Sequence, residues 1–93
     1  MLIVRNVFNA KPGQAGKLAA MFKQVRPHLT NARILTDYTG GFNRVILEHE
    51  EKDLASVEAR LKEYAANPDW KTAMKGYTDL WTEGSREILQ VVE

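Results

Sequence analysis

The stretch "ARILTDYTGGFNRVILEHE", residues 32–50, constrains the fold more than any other part of the chain. Two β-rich runs flank Gly40-Gly41, and a glycine pair reaches the positive φ angles of a tight hairpin without a Cβ clash. With those glycines as the two turn residues, Thr39 faces Phe42 and the pairing runs outward from there. Asp37 then opposes Arg44, and Arg33 opposes Glu48. Two opposite-charge pairs therefore fall on one face, which supports this register over its neighbours. The other face carries Ala32, Ile34, Thr36 and Tyr38 opposite His49, Leu47, Val45 and Asn43, and is the face expected to meet helices.

The remaining elements group around this hairpin. "LIVRNVF", rich in β-branched and aromatic residues, predicts a strand over Leu2 to Phe8. After "KPGQAG", the residues Ala15, Leu18, Phe22, Val25 and Leu29 recur at helical spacing, and Pro27 should end or kink that helix. Asp53 is a candidate N-cap for a second helix with Leu54, Val57, Leu61 and Tyr64 on its apolar stripe. A third begins at Asn67, with Pro68 suited to the first helical position and Asp69 to the positive helix end. Trp70, Ala73, Met74, Tyr77 and Trp81 continue its stripe, although Gly76 should shorten or break it. Gly84 reads as a stop, and "SREILQVVE" as the last strand.

The order is β-α-β-β-α-(α)-β, which predicts a single α+β domain over residues 1–93. It would be ferredoxin-like (βαββαβ), with a four-stranded antiparallel sheet and helices on one face. The bare face would carry Ile3, Val7, Leu35, Ile46, Leu89 and Val91 beside the charge pairs, with Arg5 and Glu87 joining them. A chain this short buries only about two-thirds of its unfolded surface at most, and an aliphatic sheet face of that extent needs a cover. The simplest cover is the same face of a second copy. A homodimer is therefore expected.

Charge excludes several functions. Thirteen basic and twelve acidic residues leave a net charge of +1, which is no footprint for nucleic acid or for an anionic membrane. RNA-recognition domains share the strand order, yet Ile3, Arg44 and Leu47 stand where stacking aromatics would be required. No apolar run approaches the roughly 18 residues of a membrane helix. The lack of cysteine suits a reducing compartment, so a cytoplasmic location is expected. His28 and His49 lie far apart, and no His, Asp or Glu cluster has metal-ligand spacing, so neither metal nor cofactor is predicted.

The segment "NPDW" opening a helix, followed by a small-residue turn and "GSREIL" entering the final strand, resembles the dimeric α+β barrel superfamily. Its small NIPSNAP-like and antibiotic-biosynthesis-monooxygenase-like members are the nearest in pattern. The resemblance spans nearly the whole chain. It implies two ferredoxin-like subunits packed sheet to sheet, with ligands between the sheet and helices of one subunit. It also implies a range of activities, cofactor-independent monooxygenases and isomerases among them. No catalytic signature accompanies it.

The function read from the chain is thus a small homodimeric barrel protein with a pocket for a small apolar ligand. The alternative is a cofactor-independent monooxygenase or isomerase acting on an apolar or aromatic oxygenated compound. His49 is the candidate general acid or base, because imidazole titrates near neutrality, and Tyr38 is its candidate partner. Asn6, Asn43, Trp70, Trp81 and Arg86 are the candidate pocket residues. Each has a plainer reading: a histidine at a strand end is commonly just hydrogen-bonded, and aromatics at helical spacing commonly fill a core or a subunit seam.

Overall fold

A computed structural model describes residues 1–93. Strand β1 (Leu2–Ala10) leads to helix α1 (Ala15–Val25), which gives way at Pro27 to a 3-10 turn over Arg26–His28. Strands β2 (Thr30–Thr36) and β3 (Arg44–Glu51) follow, then α2 (Leu54–Ala66), the short α3 (Pro68–Ala73) and β4 (Trp81–Gln90). The strands form one antiparallel sheet in the order β2-β3-β1-β4. This is the ferredoxin-like arrangement, with the first and last strands side by side at its centre and edge.

The helix starts follow local chemistry. The Asp53 carboxylate accepts the Ser56 backbone N–H at 2.8 Å, and the Asn67 side chain accepts that of Asp69 at 2.8 Å, so each satisfies a donor that the helix cannot. Helix α3 stops early because Gly76 sits at φ +83°, in the left-handed region where a helix cannot continue.

Leu18, Phe22 and Val25 of α1 pack with Trp70 and Met74 onto Val45 and Leu47, forming the core between helices and sheet. Burying a side chain such as Phe22 contributes roughly 1.5–3 kcal/mol.

Three expectations are corrected. The hairpin between β2 and β3 is not a two-residue turn, because residues 37–43 form a wider loop. The pairing is nevertheless the anticipated one, with Arg33 opposite Glu48 and Thr36 opposite Val45. Asp37 explains the wider loop: its carboxylate accepts both the backbone N–H and the Nε of Arg44, each at 3.0 Å, closing the neck in place of ladder bonds. Trp81 is not on a helix. It opens β4, the preceding chain having turned at Gly76 and in a 3-10 turn over Tyr77–Asp79.

Gly84 is not a stop either; β4 runs straight through it. A Cβ there would lie 3.1 Å from Phe8 Cδ1 and 3.3 Å from the Trp81 ring. The absence of a side chain lets two aromatic rings close over the strand.

The pleat sends alternate residues to opposite faces of the sheet. Val4, Asn6 and Phe8 of β1, Val45, Leu47 and His49 of β3, and Gly84, Arg86 and Ile88 of β4 share the face toward the helices, the β4 residues remaining exposed at its edge. Ile3, Arg5, Val7, Leu35, Ile46, Glu48, Glu87 and Leu89 share the other, which no element of this chain covers.

Candidate functional site

The inner face does not fill completely. Between it and the helices lies a cavity of about 120 Å³. The strands contribute Asn6, His49 and Arg86 as its polar groups, while Phe22, Trp70 and Met74 supply apolar wall from the helical side. Antiparallel pairing sets the polar cluster. Asn6 faces Arg86 of β4 on one side and Leu47 of β3 on the other, and His49 lies one inward position along β3 from Leu47.

The hydrogen bonds follow from that register. Arg86 Nε donates to Asn6 Oδ1 at 2.8 Å, and Asn6 Nδ2 donates to the Leu47 carbonyl at 3.5 Å. His49 is 6 % exposed, and its Nδ1 has no hydrogen-bond partner. Burial pushes its imidazole below the ordinary histidine range. The Glu51 carboxylate opposes that shift, and the Arg60 and Arg86 guanidiniums reinforce it more weakly. The ring is therefore neutral at pH 7 and carries one acceptor nitrogen.

On the helical side, Tyr64 and Tyr77 also line the cavity. Burial, followed by the neighbouring Tyr77 hydroxyl, raises the Tyr64 phenol to about 12, so it is a proton donor rather than a phenolate. Arg60 completes the rim with its charge answered by Glu63 at 2.8 Å and Glu51 at 3.5 Å. Trp70 is buried, its Nε1 lacks a partner, and His28 rests edge-on against its ring with centroids 5.5 Å apart.

The structure thus brings together four of the residues singled out from sequence: Asn6, His49, Trp70 and Arg86. Three others stand apart. Tyr38 is fully exposed in the 37–43 loop, because β2 ends at Thr36 and the inward alternation ends with it. Asn43 adopts φ +61°, and its carbonyl accepts the Ala10 backbone N–H at 2.8 Å; it helps to close the loop and does not line the cavity. Trp81 packs on Phe8 at 5.1 Å between centroids and lies behind the cavity wall. Tyr64, Tyr77 and Arg60 were not anticipated as lining residues. The signal for two of them is helical spacing, since Arg60 and Tyr64 are one turn apart on α2 and point the same way.

No protein-family model and no curated protein matches the sequence. Solved structures do match. An uncharacterised NIPSNAP-like domain protein from Burkholderia xenovorans superposes with a TM-score of 0.85 at 20% identity, over 98% of this chain and 84% of that one. A NIPSNAP family protein from Agrobacterium tumefaciens strain C58 gives 0.85 at 15% identity, over 99% and 93%. The chain has the fold of the NIPSNAP domain proteins. An antibiotic biosynthesis monooxygenase is also similar, with a TM-score of 0.74 at 12% identity over the full length of both chains. At such identities the likeness establishes fold, and function rests on the cavity itself.

Proposed function

We propose that this protein is a homodimeric α+β barrel that binds a small, largely apolar molecule in the cavity between its sheet and its helices. The observation carrying this reading is His49: a buried imidazole lining a cavity whose walls are mostly apolar, with its Nδ1 left without a partner in the chain. Buried polar groups are normally satisfied, and one left open at a cavity suits a ligand's hydrogen bond. The uncovered sheet face, with Ile3, Val7, Leu35, Ile46 and Leu89, supports the dimer half of the proposal. Without cysteine the chain suits the reducing cytoplasm, which is the location we propose.

A fragment screen read by tryptophan fluorescence tests the binding. Small aromatic compounds should perturb the emission of the wild type, and His49→Ala should weaken them about threefold to tenfold through the lost hydrogen bond. Equal binding to the wild type and to Trp70→Leu would place the ligand elsewhere.

The catalytic alternative, a cofactor-independent monooxygenase or isomerase, has one observation in its favour. A neutral, desolvated imidazole is suited to accept a proton from a bound compound. Under that reading His49→Ala abolishes turnover while the same compound still binds.

A further inference from the structure

We propose that the molecule held in the cavity is a small ring-bearing carboxylate, gripped by the terminal nitrogens of Arg86. The proposal rests on the cavity being a binding site and specifies what that site selects. The titratable side chains lining it are His49, Arg60, Tyr64, Tyr77 and Arg86, and no aspartate or glutamate is among them. Its charged groups are therefore all cationic. Arg60 is already answered by two carboxylates. Arg86 is not, for none of the molecule's ion pairs includes it.

What Arg86 does possess is an orienting partner. Its Nε donates to Asn6 Oδ1 at 2.8 Å, across the β1–β4 register, and Asn6 is tied in turn to the Leu47 carbonyl. This bond uses the one inner donor of the guanidinium and leaves both terminal NH2 groups free. That fork matches the two oxygens of a carboxylate, as an ammonium would not. Because Asn6 sits mid-strand, the fork is held by the sheet, and little side-chain entropy remains to be lost on binding.

The rest of the cavity defines the other end of the ligand. About 120 Å³ holds roughly one six-membered ring. Phe22 and Trp70 supply flat walls for it, and the buried His49 imidazole lines the same space. A neutral ligand would leave the exposed Arg86 fork to solvent without using it, and a cationic one would meet two guanidiniums. An aromatic acid fills the apolar end of the cavity and pairs with the Arg86 fork.

The test compares phenylacetate with phenylacetamide, its uncharged counterpart of nearly the same shape, by isothermal titration calorimetry at low ionic strength. The wild type should bind phenylacetate about tenfold more tightly than the amide. Arg86→Gln, a change at an exposed position, should erase that preference, weakening the acid far more than the amide. Equal affinity of the two compounds for the wild type would overturn the carboxylate proposal and leave the cavity as a neutral-ligand site. So would a preference that survives Arg86→Gln. If neither compound binds at millimolar concentration and the tryptophan emission stays fixed, the binding site and the carboxylate fall together.

Discussion

The two faces of the sheet are made from alternate residues of the same strands, yet they treat charge in opposite ways. On the outer face Glu48 is buried, accepting Arg5 Nη2 at 3.0 Å and a second ion pair from Arg33, so its charge is fully answered within the chain. On the inner face Arg86 holds only a neutral amide, and His49 keeps an unpartnered nitrogen. On one face the buried carboxylate is answered, and nothing in this chain covers that face. The other packs against helices over β1 and β3, and its Arg86 at the exposed β4 edge has no carboxylate partner. A face of the first kind suits a permanent protein contact, where pre-paired charges cost little further desolvation. A face of the second kind suits a molecule that arrives and leaves.

The strongest way to break this contrast is to remove the wall that makes the inner face a cavity rather than a surface. Phe22 is 2 % exposed and packs on Phe8 with centroids 5.3 Å apart. Phe22→Ala should cost about 3–5 kcal/mol in urea unfolding, because transfer and cavity terms add. A loss below about 1 kcal/mol would mean that the helices collapse onto the sheet without it. Next in size comes Glu48→Gln, which leaves two guanidiniums facing a neutral amide. About 1–3 kcal/mol should be lost, less than for a fully buried pair because Arg5 and Arg33 reach solvent. The proposed association through this face should weaken in the same variant, as sedimentation would show.

Acid should separate the faces. His49 has a lowered value in the fold, so as the pH falls below its ordinary 6.5 the unfolded chain takes up the proton first. Its contribution is complete above that pH and shrinks on acidification. Glu48 is held below the ordinary 4.5, by Arg33 first and Arg5 second, against the opposing effect of burial. Its contribution survives until the pH drops through that lower range. Unfolding midpoints should therefore decline in two stages, inner face before outer, and His49→Gln should remove the upper stage alone. A single decline confined to the carboxylate range would show that His49 is not desolvated.

The smallest effect sharpens the account of the cavity wall. Gly84→Ala puts a methyl against Phe8 and Trp81, and the strain should cost about 1 kcal/mol net of the gain in strand propensity. The ring shift should also alter the near-ultraviolet circular dichroism.

The hairpin shows how far sequence reaches in this molecule. Charge pairing across Arg33–Glu48 and Asp37–Arg44 specified the β2–β3 register, and with it the face on which His49 lies. Those signals are local and periodic. Tyr38 and Asn43 were misplaced because alternation holds only while the ladder continues, and the Asp37 carboxylate ends it before the glycines. Trp81 was misread for a related reason: its spacing from Tyr77 is helical, but Gly76 breaks the helix and the stripe carries on by coincidence into β4. Helical spacing puts Arg60 and Tyr64 on one side of α2, but only the packing of α2 against β3, and of the Tyr77 ring on Phe8, brings them and Tyr77 to the cavity, and that is a long-range outcome.

Native mass spectrometry of the protein at low micromolar concentration, gently desolvated, tests the contrast between the faces most directly, since it counts subunits and retained ligands together. The division of roles predicts a dimer, and a dimer that carries up to one added carboxylate mass per subunit after incubation with phenylacetate. A monomer would contradict the outer face as a seam, and a dimer that never gains mass would contradict the inner face as a site.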